Sequence, residues 1–243
     1  MKVIIGEKMV RNTLNVNLDV SGEPCLVVGG GGVAERKAKQ LHGSGANLMV
    51  VSPEFTDRSI EFLEAEGIEY LEEEFTERHL DGKTLAVAAT SDREVNRRVS
   101  QAAQERGVLV NVVDDKDIST FTLTAAFDRG DLKVAVSTGG ASPALSASVK
   151  QRLHDGFGPA YEKYLDILKR LRPEIISRMP EEDRRELLIR LGDQRVEKAL
   201  WQGDLKEALD FAEKTVPKEL KKIFIEILEE VGVDSDGKVK DRY

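Results

Sequence analysis

The chain is short of cysteine, histidine, long apolar runs and excess positive charge, and each shortage removes a class of function. Its single cysteine, Cys25, rules out an intrachain disulfide. Its place inside an apolar run reads as a small buried hydrophobe in a strand. The three histidines, His42, His79 and His154, have no clustered metal-ligand spacing, so no fixed metal site is expected. No stretch approaches the roughly 18 apolar residues of a membrane span. Residues 1–11 hold only a short apolar piece and no small-residue cleavage pattern. A cytoplasmic protein without membrane partners is expected. The net charge of −8 offers no broad basic field for phosphate neutralisation, so nucleic acid is not an expected partner. A local basic pocket for a small anion stays open.

What is present is an ordinary globular composition. Of 243 residues, 40% are hydrophobic and 33% charged, enough for one large domain or two smaller ones. Apolar runs at 25–28, 47–51, 68–71, 85–89 and 108–113 alternate with helical patterns. The first helix runs through Val33, Ala34, Ala38 and Leu41, and the second carries Ile60 and Leu63 and stops at Gly67. The third is capped by Asp92, carries Val95, Val99, Ala102 and Ala103, and ends at Gly107. Continuous apolar strands alternating with helices predict an α/β domain with a parallel sheet covered on both faces.

The texture changes after residue 113. Runs at 121–127 and 132–137 predict a hairpin about Asp128-Arg129-Gly130-Asp131. A helix follows, with Ser142 as N-cap and Pro143 as its first residue. Beyond Gly156 the pattern is helical throughout. One stripe of Tyr161, Tyr164, Leu165, Leu168 and Leu171 is predicted to stop at Pro173. The last helix opens at Pro217, carries Leu220, Ile223, Phe224, Ile227, Leu228 and Val231, and ends at Gly232. Residues 234–237 (Asp-Ser-Asp-Gly) lack the remaining ligands of a calcium loop and read as a polar tail.

The most informative motif is Gly29-Gly30-Gly31-Gly32-Val33-Ala34, which fits G-x-G-x-x-A at Gly29, Gly31 and Ala34. It follows an apolar strand and opens an amphipathic helix, the setting in which such a run binds a dinucleotide. Gly29 permits a tight turn, and Gly31 lets backbone approach a pyrophosphate. Ala34 keeps the helix close to the sheet, and the helix N-terminus offers oriented N–H groups. A Rossmann-type βαβ unit binding NAD is the expectation. The acid that usually ends the second strand is missing, however. Val51-Ser52-Pro53 stands there, so Ser52 is the candidate for a ribose hydroxyl and residue chemistry does not secure NAD over NADP. Thr90-Ser91-Asp92 and residues 111–115 occupy two further strand ends. Asp114 ends an apolar strand and is predicted to face the nicotinamide side of the crevice, although a lone strand-end Asp is more often a turn former.

Four blocks together resemble the precorrin-2 dehydrogenase/sirohydrochlorin ferrochelatase family, which includes the N-terminal half of siroheme synthase. They are Val27 through Lys37; Ala89-Thr90-Ser91-Asp92 with Asn96; Asn111-Val112-Val113-Asp114-Asp115; and Asp128 through Leu132 with Ser137 through Leu145. The resemblance runs from about Cys25 to Leu153. It implies a homodimer with a Rossmann NAD-binding domain (1–113), a small dimerisation region with substrate-pocket elements (114–150) and a helical C-terminal domain (151–243). It also implies NAD-dependent oxidation of precorrin-2 to sirohydrochlorin, with iron or cobalt insertion in some members. Carried over residue by residue, Asp114 takes the catalytic role. Gly29, Gly30, Gly31, Gly32 and Val33 hold the cofactor, with Thr90, Ser91 and Val113 toward its nicotinamide end. Ser137, Gly139 and Ser142 fall beside the tetrapyrrole pocket. The substrate bears many carboxylates, so an acidic protein must present local positive potential. Arg129, Lys133, Lys150, Arg152 and the helix opened by Ser142-Pro143 are the candidates.

Two departures bear on substrate fit. The family's Phe-x-x-Pro-Ala segment reads Phe121-Thr122-Leu123-Thr124-Ala125 here, which frees a backbone N–H. The aromatic-proline entry to the first strand is absent around residues 13–16. The alternative reading is a non-catalytic module that binds NAD or a tetrapyrrole, or a regulatory domain.

Overall fold

The apolar runs of the first half become parallel strands, the central ones buried on both faces and the one at 69–72 a half-exposed edge. The computed structural model describes residues 13–113 and 115–234. Strands β1 (Pro24–Val28), β2 (Asn47–Ser52), β3 (Glu69–Glu72), β4 (Leu85–Ala88) and β5 (Leu109–Val112) lie in the order β3-β2-β1-β4-β5, and every neighbouring pair is parallel. Side chains alternate between two cores. Cys25, Val27, Leu48, Val50, Leu85 and Val87 meet Ala34, Ala38 and Leu41 of α1 (Gly32–Gly43) and Leu63 of α2 (Asp57–Ala65). Leu26, Val28, Val51, Ala86, Ala88, Val110 and Val112 meet Val99, Ala102 and Ala103 of α3 (Arg93–Glu105). Right-handed crossovers place α1 and α3 on opposite faces, because the chain reverses its direction across the sheet after β3. That reversal opens a crevice at the carboxyl ends of β1 and β4. Cys25 is fully buried, and burial pushes its thiol above the ordinary range, which suits a packing role.

The chain divides into two compact units, one ending at Leu123 and the other beginning at Thr124. The first unit reaches past β5 because residues 115–123 run back along that strand. Thr120 N–H donates to the Val110 carbonyl (2.7 Å), and Asn111 Nδ2 donates to the Phe121 carbonyl (3.1 Å). Val112 N–H donates to Ser119 Oγ at 2.9 Å. Phe121 and Leu123 pack on the first core, so the expected hairpin strand at 121–127 begins only at Ala125. The segment also covers an otherwise open sheet edge.

In the second unit, β6 (Ala125–Arg129) and β7 (Leu132–Val136) pair antiparallel about Gly130-Asp131, with Gly130 at φ 55°. The loop 137–142 leads to α4 (Pro143–Gly156), where Ser142 Oγ accepts the Leu145 N–H and Pro143 is the first helical residue, as expected. Then come α5 (Pro159–Arg178), α6 (Glu181–Leu191), α7 (Gln194–Trp201), α8 (Leu205–Thr215) and α9 (Lys218–Glu230). Helix α5 does not stop at Pro173. Its buried stripe of Tyr161, Tyr164, Ile167, Leu171 and Ile175 carries on, and burying Ile175 outweighs the hydrogen bond that proline cannot make. Leu191, Leu220 and Phe224 complete this core, and Tyr164 donates its hydroxyl to the Leu191 carbonyl at 2.8 Å. Among the described residues no helix is long and apolar enough to cross a membrane.

Candidate functional site

The four consecutive glycines do two different jobs. Gly29 sits at φ 132°, and a Cβ there would lie 2.6 Å from the Ala89 carbonyl oxygen, so β1 and β4 approach too closely for any side chain. A Cβ on Gly30 would fall 2.0 Å from the Glu54 carbonyl oxygen. That crowding has a purpose within the fold. The Gly30 carbonyl accepts from Thr56 N–H (3.1 Å) and from Ser59 Oγ (2.9 Å), which staples the start of α2 onto the turn. Gly31 and Gly32 differ, because a Cβ on either would meet nothing within 4 Å.

Gly31 is also the N-cap of α1, and no side chain caps that end. The first helical N–H to find a carbonyl is that of Glu35, bonded to Gly31 O at 3.0 Å. The N–H groups of Gly32, Val33 and Ala34 precede it and point out of the helix end. Gly31, Gly32 and Val33 are exposed, and Val33 offers an apolar surface at 40% exposure. Bare donors, helix dipole and vacant Cβ positions form a cradle that fits a pyrophosphate.

The remaining cofactor candidates stand at neighbouring strand ends. Ser52 ends β2, is buried, and donates its hydroxyl to the Glu54 carbonyl at 2.6 Å, so it is left as an acceptor only. Thr90 follows β4 and is enclosed by buried Asn96. Asn96 Oδ1 accepts the Thr90 N–H (3.2 Å), and its Nδ2 donates to the Thr90 carbonyl (3.0 Å). The Thr90 hydroxyl lies 2.8 Å from Asn96 Oδ1 and 2.9 Å from the Asp92 carbonyl oxygen. Ser91 remains exposed beside it, and Asp92 caps α3 through Glu94 and Val95 N–H, as expected. Val113 continues from β5, its N–H bonded to Ala88 O at 2.9 Å. Gly29 to Val33, Ser52, Thr90, Ser91 and Val113 therefore gather along the carboxyl ends of β1, β2, β4 and β5. Asp114 lies outside the described residues. Asp115 is a turn former, with Oδ1 accepting the Asp117 N–H and its carbonyl accepting Ser119 Oγ at 2.7 Å.

Asn96 stands out in the sequence only as part of a motif, and Thr56 and Ser59 do not stand out. The one signal in the chain was the Thr-x-x-Ser spacing of an N-cap. Asn96→Ala would leave the Thr90 N–H and carbonyl without their partners. It is expected to cost about 2–3 kcal/mol, read as a lower urea midpoint; an unchanged midpoint would show that the turn holds itself.

The substrate candidates belong to the second unit and fall into two places. Ser137, Gly139 and Ser142 share the loop before α4. Ser137 Oγ accepts the Gly139 N–H at 3.2 Å, and Thr138 Oγ1 accepts the Ser142 N–H at 3.1 Å. Gly139 (φ 61°) and Gly140 (φ 80°) take the left-handed turn that only glycine adopts freely. Arg129 stands at the opposite end of the hairpin, paired with Leu132 beside the turn. Its Nε donates to the Phe157 carbonyl at 2.9 Å, and its Nη2 lies 3.4 Å from His154 Nδ1. That guanidinium ties β6 to the C-terminal end of α4. Lys133 is paired with Asp128 at 2.9 Å.

Residues 16–125 match a family model described as "Putative NAD(P)-binding", and residues 129–155 match that of the sirohaem biosynthesis protein central region. The chain is similar in sequence to sirohaem biosynthesis proteins. Similar proteins include the siroheme synthase of Chromobacterium violaceum, 41% identical over 168 residues, which are 69% of this chain and 36% of that protein. The siroheme synthase of Nitrosomonas europaea is 39% identical over 173 residues, 71% of this chain and 36% of that one. This chain thus spans about a third of the length of the siroheme synthases it matches. Among solved structures, SirC, a precorrin-2 dehydrogenase, matches with a TM-score of 0.66 and 28% identity, over 90% of this chain and all of that one.

Proposed function

We propose that this chain oxidises precorrin-2 to sirohydrochlorin with NAD as hydride acceptor, working as a cytoplasmic homodimer. One observation carries the reading: the turn at Gly31-Gly32 leaves a helix N-terminus uncapped, exposed and free of Cβ atoms. The match to a precorrin-2 dehydrogenase over that protein's whole length supports the substrate. In this reading Gly31 and Gly32 with the α1 N–H groups hold the pyrophosphate. Ser52 accepts from the adenosine ribose, and Ser91 and Val113 border the nicotinamide end.

A bound nicotinamide supplies the two-electron acceptor. Precorrin-2 gives up one hydride and one proton, so the chain must supply a base beside the site of hydride loss. Asp114 is assigned that role. Its neighbours Val113 and Asp115 are anchored at the end of β5, the former to Ala88 O and the latter by its N–H to Val112 O at 3.3 Å. The loop 137–142 and the start of α4 are assigned to the substrate carboxylates, which a helix N-terminus favours. The hairpin and α4 are assigned to dimerisation, the later helices to a capping domain. Iron insertion is a separable step in which the metal is a substrate, and Asp114 is the candidate to take the pyrrole protons.

The test is anaerobic incubation of the protein with precorrin-2 and NAD. Sirohydrochlorin and NADH in equal amounts are expected. A tetrapyrrole complex without NADH would instead favour a binding protein that does not turn its ligand over. Fe²⁺ and sirohydrochlorin, supplied without NAD, decide the chelatase step through the appearance of siroheme.

A further inference from the structure

Below the glycine turn lies a cluster of charges that the reaction itself does not use. Glu35 is in the first turn of α1 with its side chain only 5% exposed. Two cations converge on its Oε1: Lys39 Nζ at 2.5 Å and Arg58 Nε at 3.1 Å. The Lys39 hydrogen bond first, and then the charge of Arg58, hold the Glu35 carboxyl below the usual carboxylate range against its burial. Lys39 is engaged a second time, its ammonium 4.8 Å from the centre of the Phe62 ring. Arg58 has a different situation. It stands in the first turn of α2, between Thr56 and Ser59, the two residues stapled to Gly30. Its side chain is 79% exposed, and Glu35 holds it through Nε.

This position bears on the dinucleotide. In an open parallel sheet the adenosine half lies over the end of the second strand, where an acid normally discriminates against a 2′-phosphate. Here β2 ends in Ser52, whose hydroxyl proton goes to the Glu54 carbonyl. The strand itself therefore ends without a carboxylate, the first acid, exposed Glu54, following two residues on, and an exposed guanidinium stands in the first turn of α2. We infer that Glu35 is the specificity-determining residue of this site: by pairing with Arg58 Nε it neutralises the guanidinium's charge, weakens its pull on a 2′-phosphate and makes the site select NAD over NADP. Glu35 acts through Arg58 and touches neither cofactor nor substrate. The inference rests on the nucleotide-binding reading above.

Equilibrium binding of NAD and NADP, without tetrapyrrole, tests it. The wild-type protein is expected to favour NAD by about tenfold or more, and ADP over 2′,5′-ADP in the same direction. Glu35→Gln keeps the shape but removes the charge, and the NAD-to-NADP affinity ratio is expected to fall by at least about tenfold. Glu35→Gln with Arg58→Met is expected to return the ratio to that of the wild type. A wild-type preference for NADP overturns the inference without any variant. So does a ratio that Glu35→Gln leaves unchanged while NAD still binds. If the wild type binds neither dinucleotide, the nucleotide-binding reading falls and takes this one with it.

Discussion

Asp114→Asn is expected to lower the rate of precorrin-2 oxidation by at least about a hundredfold while leaving the affinity for NAD unchanged. The magnitude follows from what a positioned general base contributes, about 10²–10⁴ in rate. The substitution keeps the size and hydrogen-bonding shape of the side chain and removes only its basicity. Dinucleotide affinity is expected to persist because the pyrophosphate cradle is made by Gly31, Gly32 and the N–H groups that open α1. The neighbouring carboxylate offers a contrast. Asp115 receives the Asp117 N–H at 3.1 Å and so has a structural task. Asp115→Asn is therefore expected to change stability and turnover only modestly. Turnover by Asp114→Asn at the wild-type rate would remove Asp114 from the mechanism and require another proton acceptor. Loss of NAD binding along with turnover would mean that the residue shapes the crevice rather than the chemistry.

The first unit was readable in the sequence because its physics is local. Apolar runs of four to six residues with helices between them allow few arrangements, and the glycine run marks where the sheet reverses direction. Asp92 and Ser142 were readable as caps for the same reason, since an N-cap bonds to residues two or three positions ahead. What was hidden depends on distant partners. Nothing near Phe121 reveals that Asn111 binds its carbonyl and draws residues 115–123 back along β5. Pro173 looked like a helix end because the deciding contact, the burial of Ile175, involves other helices. The site shows the same division. Gly29 and Gly31 followed from spacing, whereas the dependence of Gly30 on Glu54, and of Arg58 on Glu35, rests on pairs more than twenty residues apart. The bond of Arg129, a substrate candidate, to the Phe157 carbonyl twenty-eight residues away was likewise hidden.

The glycine run allows a second decisive experiment, because adjacent positions should fail in opposite ways. Gly31 has φ −90° and ψ 177°, extended backbone that any residue adopts, and open space where a Cβ would go. Aspartate is a favoured N-cap, so Gly31→Asp is expected to leave thermal stability unchanged or raise it by a few tenths of a kcal/mol. The same carboxylate would stand where a pyrophosphate must approach, adding like-charge repulsion and occupying the cradle. Dinucleotide affinity is expected to fall by at least about a hundredfold, close to 3 kcal/mol. Gly30→Ala should do the reverse. Its methyl would sit 2.0 Å from the Glu54 carbonyl oxygen, and relief requires prising the start of α2 off the turn. A cost of about 3 kcal/mol or more in stability is expected, with binding lost only as the fold is lost. Calorimetric unfolding and NAD titration of the two variants separate the roles. If Gly31→Asp binds NAD as the wild type does, the uncapped helix end is not the phosphate site, whatever Gly30→Ala does to the fold.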